Sequence, residues 1–127
     1  PEFKLMYEAV FEAQLTVLDR LRSGMLAKEA MYAACEVFEK KGYDTPRTNL
    51  KLTRGFIHSL GHGIGLTIGE RPYLSLYSQD RIVDRQVFTV EPGLYDPRLG
   101  GVRLEDVVVI EGGVARNLTN LEKVLVY

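Results

Sequence analysis

Both histidines of the chain lie in one glycine-rich stretch, residues 58–65, which reads His-Ser-Leu-Gly-His-Gly-Ile-Gly. Glycine carries no Cβ, so such a stretch can bend sharply and let a ligand approach its backbone. An imidazole presented there is well placed to bind a metal ion through one ring nitrogen. A glycine-rich turn that merely contains histidines explains this stretch equally well, so the choice depends on the acidic residues further along.

Glu91 ends an apolar segment that has the period of a β-strand. In residues 87–91, Val87, Thr89 and Glu91 fall on one face, and Phe88 and Val90 fall on the other. Pro92 follows and holds Glu91 in extended geometry. The pattern therefore predicts a strand that presents Glu91 at its end.

Glu105 lies in a second β-like segment, residues 102–110, and alternation puts Arg103 on the same face. A glutamate among valines is costly to bury unless it is paired or bound to a metal. A surface ion pair with Arg103 is the simpler alternative. Taken together, His62, Glu91 and Glu105 offer one imidazole and two carboxylates, a donor set that suits Mn, Co, Zn or Fe.

The elements that must position these residues follow from the apolar periodicity. Apolar residues recur every three or four positions in residues 2–22 and 27–41, which predicts two helices. After Pro46 the pattern is that of short extended segments, at residues 56–60, 66–68, 87–91, 102–110, 114–118 and 123–127. We therefore predict an α+β fold in which two N-terminal helices pack on a mostly antiparallel sheet.

Composition sets the class of protein. The chain has 127 residues, of which 46% are hydrophobic and 26% charged, as in an ordinary globular domain, so residues 1–127 are predicted to form a single domain. A net charge of -1 gives no basic surface for nucleic acid, and the longest uncharged run, residues 55–69, is too short and polar to span a membrane. Cys35 is the only cysteine; it is predicted to be a packing residue in a cytoplasmic protein.

The chain resembles the "pita-bread" metallopeptidases, which include prolidase, aminopeptidase P and methionine aminopeptidase. Three motifs carry the resemblance, in this order: His58-x-x-x-His62-Gly-x-Gly, Val90-Glu91-Pro92-Gly93 and Gly101-Val102-Arg103-x-Glu105-Asp106. The last motif is similar to the proline-specific branch, because methionine aminopeptidases lack an arginine two residues before that glutamate. The resemblance covers one half, the second, of the family's pseudo-symmetric domain.

This resemblance implies roles for five residues. His62 and Glu91 would be metal ligands, Glu105 would bridge two divalent metal ions, and Glu91 would also handle the proton of the attacking water. His58 and Arg103 would line the substrate pocket. The implied reaction is hydrolysis, by a metal-activated water, of the bond before proline in peptides with proline as the second residue.

Two departures from the family pattern leave alternatives open. The family's two aspartate ligands belong to the first half of its domain, and Gly69 stands where the family has a histidine beside the substrate. The chain could thus be a lapsed module that binds peptides or proteins, with methionine aminopeptidase as a further alternative. The isolated chain is expected to be inactive and to form a homo-oligomer, because an open sheet edge and apolar side chains such as Phe56 and Ile57 would be exposed.

Overall fold

Two helices open the chain, as the apolar periodicity predicted. The computed structural model describes residues 1–125 and has α1 at Glu2–Arg20 and α2 at Ala27–Lys40. They end slightly before the predicted ends at residues 22 and 41. Gly24 and Gly42 follow them with φ angles of +96° and +84°, a left-handed conformation that glycine adopts without steric cost.

Within the described residues 1–125, seven strands follow, all in antiparallel pairs. They are β1 (Gly61–Ile64), β2 (Ile68–Leu74), β3 (Val87–Val90), β4 (Gly93–Asp96), β5 (Gly100–Arg103), β6 (Asp106–Glu111) and β7 (Val114–Asn117). Five of them form a sheet in the order β2-β1-β3-β6-β7, and β4 and β5 form a separate hairpin. The α+β prediction is confirmed, with β2 and β7 as the edges of the larger sheet.

The core lies between the helices and the strands. α1 packs on β3, β4 and β5, while α2 packs on β2. Phe56 was expected to be exposed, but it is fully buried, because its ring packs edge-on against Phe38 of α2 at 5.1 Å between centroids. Ile57 is exposed, as expected. Burial raises the pKa of the Cys35 thiol to about 11, consistent with its predicted packing role.

The predicted strand over residues 102–110 is in fact two strands. The chain leaves the hairpin after β5, steps through Leu104 and Glu105, and enters the larger sheet as β6. At the step the Leu104 N–H donates to the Pro92 carbonyl, at 3.3 Å. The prediction was wrong because the alternation of side chains continues through the step while the pairing partner changes.

Three further predicted segments differ from the structure. Residues 56–60 contain no strand, and the strand predicted at residues 66–68 begins only at Ile68 and runs on to Leu74. The strand predicted at residues 123–127 is not a strand over residues 123–125, and the remaining two residues lie outside the described part.

An internal ion pair attaches the C-terminal segment to the sheet. Asp106 is fully buried, and its Oδ2 accepts hydrogen bonds from Lys123 Nζ and Asn117 Nδ2, both at 2.7 Å. Within residues 1–125, no helix combines the length and the apolar composition needed to cross a membrane.

Candidate metal centre

The sheet register brings the motif-bearing segments together. β3 pairs with β1 on one side and with β6 on the other. In the β3–β6 ladder Val90 lies opposite Asp106, so the next residues outward, Glu91 and Glu105, leave their strands on the same side. On the β1 side, the Glu91 N–H donates to the Leu60 carbonyl at 2.8 Å, two residues before His62.

Two glycines beside His62 are required by neighbouring strands rather than by a ligand. A Cβ at Gly61 would lie 1.9 Å from the Thr89 carbonyl oxygen, and one at Gly63 would lie 2.3 Å from the Arg71 carbonyl oxygen. Any side chain there would force β1 away from β3 or β2. The glycines thus keep His62 next to the strand that carries Glu91.

Hydrogen bonding fixes the tautomer of His62. Its Nδ1 lies 3.0 Å from the Gly63 carbonyl oxygen, which can only accept, so Nδ1 carries the proton of the neutral ring. In that neutral form the other nitrogen, Nε2, carries the lone pair, and it lies 3.4 Å from Glu91 Oε1. An Nε2 lone pair beside a carboxylate is the form in which histidine binds metals.

Thr89 links His62 to Glu91. It is 1% exposed. Its hydroxyl donates to Glu91 Oε1 at 2.9 Å and accepts the His62 backbone N–H at 3.0 Å. The sequence placed Thr89 on the face of Glu91 but gave it no role. The sequence could have indicated this role, because Thr89 lies two residues before Glu91 on the same face of the strand.

Arg103 lies between the two glutamates. Its Nε is 3.7 Å from Glu91 Oε2 and 3.8 Å from Glu105 Oε2. Glu105 is not buried among valines; its side chain is 42% exposed, and it forms the surface pair with Arg103 that the sequence offered as the simpler alternative. Glu105 is therefore connected to His62 through Arg103 and Glu91.

The donor chemistry suits a divalent metal ion, although the donors do not already form a cluster. Among residues 1–125, no three His, Cys, Asp or Glu side chains are grouped closely enough to hold an ion. The neutral Nε2 of His62 and the carboxylates of Glu91 and Glu105 are nevertheless the atoms that Mn, Co, Zn and Fe accept as ligands. Their assignment as ligands stays a prediction.

His58 is held by a different set of contacts. Its Nδ1 lies 2.7 Å from the Ser59 carbonyl oxygen and its Nε2 lies 2.9 Å from the Tyr95 hydroxyl. A Cβ at Gly93 would come within 3.0 Å of both the Tyr95 hydroxyl and His58 Nε2, so this glycine makes room for their contact. Both ring nitrogens of His58 are engaged, and it would have to release Tyr95 to contact a substrate through Nε2.

Gly69 opens a space at the start of β2. Its φ angle is +78°, and a Cβ there would meet no atom within 4 Å. The Tyr73 hydroxyl donates to the Gly69 carbonyl at 3.0 Å. The structure thus has room for the imidazole of the family pattern, but on a backbone that disfavours any side chain.

Comparison with known proteins identifies the family. Residues 1–112 match the model of metallopeptidase family M24, so the chain belongs to this family. It is 42% identical to a Xaa-Pro dipeptidase of Pyrococcus furiosus over 120 residues, which are 94% of this chain and 32% of that protein.

Solved structures agree with this assignment. The prolidase from Pyrococcus furiosus superposes with a TM-score of 0.86 at 41% identity, covering 97% of this chain and 34% of that one. The X-Pro aminopeptidase from Thermotoga maritima gives a TM-score of 0.82 at 36% identity, covering 95% and 32%. The chain spans about a third of the length of the relatives it matches. The predicted likeness to one part of the pita-bread fold is thereby confirmed.

Proposed function

We propose that the protein containing this chain is a metal-dependent peptidase of the Xaa-Pro dipeptidase (prolidase) or Xaa-Pro aminopeptidase type. The observation that carries the proposal is the position of His62 Nε2, which faces Glu91 Oε1 at 3.4 Å while Nδ1 contacts the Gly63 carbonyl, in a chain of family M24. Relatives named Xaa-Pro dipeptidase support proline as the second residue of the substrate. Arg103 supports the proline-specific branch over methionine aminopeptidase.

Three side chains of this chain would hold divalent metal ions. His62 would bind through Nε2 and Glu91 through its carboxylate, and Glu105 would be a ligand common to both ions. When bound, Mn, Co, Zn or Fe would lower the pKa of a water molecule and polarise the peptide carbonyl. The resemblance implies that two further aspartate ligands come from outside this chain.

The remaining chemistry belongs to residues described above. Thr89 would hold Glu91 Oε1 in place, so that the carboxylate can accept a proton from the attacking water without turning away. Arg103 would balance the charge of Glu91 and Glu105 and line the pocket. His58 would bind the substrate after releasing the hydroxyl of Tyr95.

A binding module is the second candidate, and Gly69 is the observation that favours it. No side chain is present where the family has an imidazole beside the substrate. Loss of one such positioned donor typically slows turnover by about 100- to 1,000-fold. A module of this kind would still bind Xaa-Pro peptides but would release them uncleaved.

The setting of the protein is also proposed. A lone, buried Cys35 supports a reducing, cytoplasmic compartment. The isolated chain would form a homo-oligomer as one folded domain, residues 1–127. The edge strand β2 supports self-association, since Ile68 at its start and Leu66 just before it are almost fully exposed.

Peptide hydrolysis tests the proposal. The chain, and the longer protein in which it occurs, would be assayed on Xaa-Pro dipeptides with added Mn²⁺ or Co²⁺, beside a chelator control and light scattering. We expect cleavage by the longer protein only, lost in Glu105→Gln, and an oligomeric isolated chain. Peptide binding without cleavage in the longer protein would favour the binding module instead.

A further inference from the structure

Gln14 is a polar residue in the buried face of α1. The other buried residues of this helix are apolar: Met6, Ala9, Val10, Ala13 and Val17. Gln14 itself is fully buried. Its side chain contacts Val90 and Leu104, which lie 76 and 90 positions further along the sequence. A buried amide in an apolar stripe calls for an account of what its polar atoms contact.

The amide nitrogen of Gln14 joins the two segments that carry the candidate carboxylates. Its Nε2 donates to the Val90 carbonyl and to the Leu104 carbonyl, each at 3.1 Å. Val90 immediately precedes Glu91, and Leu104 immediately precedes Glu105. One side chain therefore contacts the backbone beside both candidate ligands.

One of these contacts lies outside the strands, where no strand pairing holds the backbone in position. Leu104 belongs to the step between β5 and β6, outside both strands. A backbone bond, from the Leu104 N–H to the Pro92 carbonyl, ties the step to the residue after Glu91. The hydrogen bonds of Gln14 lie on the other side of Glu91 and add to the pairing of Val90 with Asp106 in the β3–β6 ladder.

Stability alone does not favour glutamine at this position. The other polar atom of its side chain, Oε1, is buried and has no hydrogen-bond partner among the described residues. A buried acceptor without a partner is unfavourable, and an apolar side chain of similar size would avoid it. What glutamine supplies and methionine or leucine cannot is the pair of N–H donors.

We propose that Gln14 is a positioning residue that sets the separation of Glu91 and Glu105, and so tunes the affinity of the site for divalent metal. This inference rests on the proposed function for its metal-binding part. The connection that Gln14 makes between the segments of Glu91 and Glu105 does not depend on a metal ion, and it can be tested in the metal-free protein.

The test compares Gln14→Met with Val10→Ala. Methionine keeps the length of the side chain but lacks the N–H donors, while Val10→Ala perturbs the same buried face of α1 and keeps the glutamine that donates to both carbonyls. In the metal-free chain, we expect the Leu104 amide to exchange its hydrogen about 2- to 10-fold faster in Gln14→Met, beyond any global change. Calorimetric titration of the longer protein should show that Gln14→Met binds Co²⁺ about 10- to 100-fold more weakly than the wild type.

Several outcomes separate the possibilities. If Gln14→Met matches Val10→Ala in Leu104 exchange, the inference is overturned. If the longer wild-type protein binds no Co²⁺, the proposed function fails, and the exchange result still decides the role of Gln14. Should Gln14→Met not fold, Gln14→Asn replaces it, since its shorter amide cannot span both carbonyls. Wild-type exchange at Leu104 in that variant would likewise refute the inference.

Discussion

Replacing Thr89 by valine removes one hydroxyl and keeps the shape of the side chain. Thr89 is 1% exposed, so no bulk water replaces its 2.9 Å bond to Glu91 Oε1. A hydrogen bond to a charged group contributes about 1.5–3 kcal/mol. Because about 1.4 kcal/mol corresponds to a tenfold change in an equilibrium constant, losing this bond should weaken metal binding through Glu91 by roughly 10- to 100-fold.

We therefore predict that Thr89→Val weakens Co²⁺ binding by the longer protein by about 10- to 100-fold. Calorimetry at fixed pH measures the affinity, and thermal unfolding without metal measures the stability of the same variant. Thr89→Ser is the matched control, because it keeps the hydroxyl and should bind Co²⁺ nearly as well as the wild-type protein. Equal affinities for the valine and serine variants would refute the assignment of Glu91 as a ligand oriented by Thr89.

Three further predictions concern other contacts. Lys123→Met should lower the free energy of unfolding in urea by about 3–5 kcal/mol, because it leaves Asp106 charged and buried without its cation; an unchanged midpoint would contradict this. Gly69→His should raise turnover of a Xaa-Pro peptide, although its φ of +78° adds about 1–2 kcal/mol of strain; Gly69→Ala, which bears the strain without the imidazole, should show none of the gain. The hydrogen bond from Arg98 lowers the pKa of Asp96 from 3.8 to about 2, so its stabilising effect is complete above pH ~4 and is lost as pH falls towards 2. The stability difference between wild type and Asp96→Asn should therefore vanish over that range in acid unfolding, and a constant difference would argue against the pair.

The helices and the main site residues could be predicted because local sequence determines them. Both helices follow from apolar residues at three- and four-residue spacing, and only their last turns differ from the structure. Glu91 and Thr89 share a face because side chains alternate along any strand. Family motifs supplied the rest of the candidate site, whose ligand roles stay predictions.

The parts that could not be predicted depend on contacts between distant segments. The step at Leu104 leaves the alternation of residues 102–110 intact, so periodicity cannot reveal it. Phe56 is buried because α2 covers it, a fact that residues 56–60 do not contain. Gln14 resembles any polar residue of an amphipathic helix until Val90 and Leu104 are seen beside it.

Anomalous scattering from crystals soaked in Mn²⁺ tests the central claim most directly. The account predicts strong anomalous peaks in contact with His62 Nε2 and with the carboxylates of Glu91 and Glu105, and loss of these peaks in Glu105→Gln. Hydrolysis of Xaa-Pro peptides by a protein whose Mn²⁺ lies away from these three side chains would contradict it.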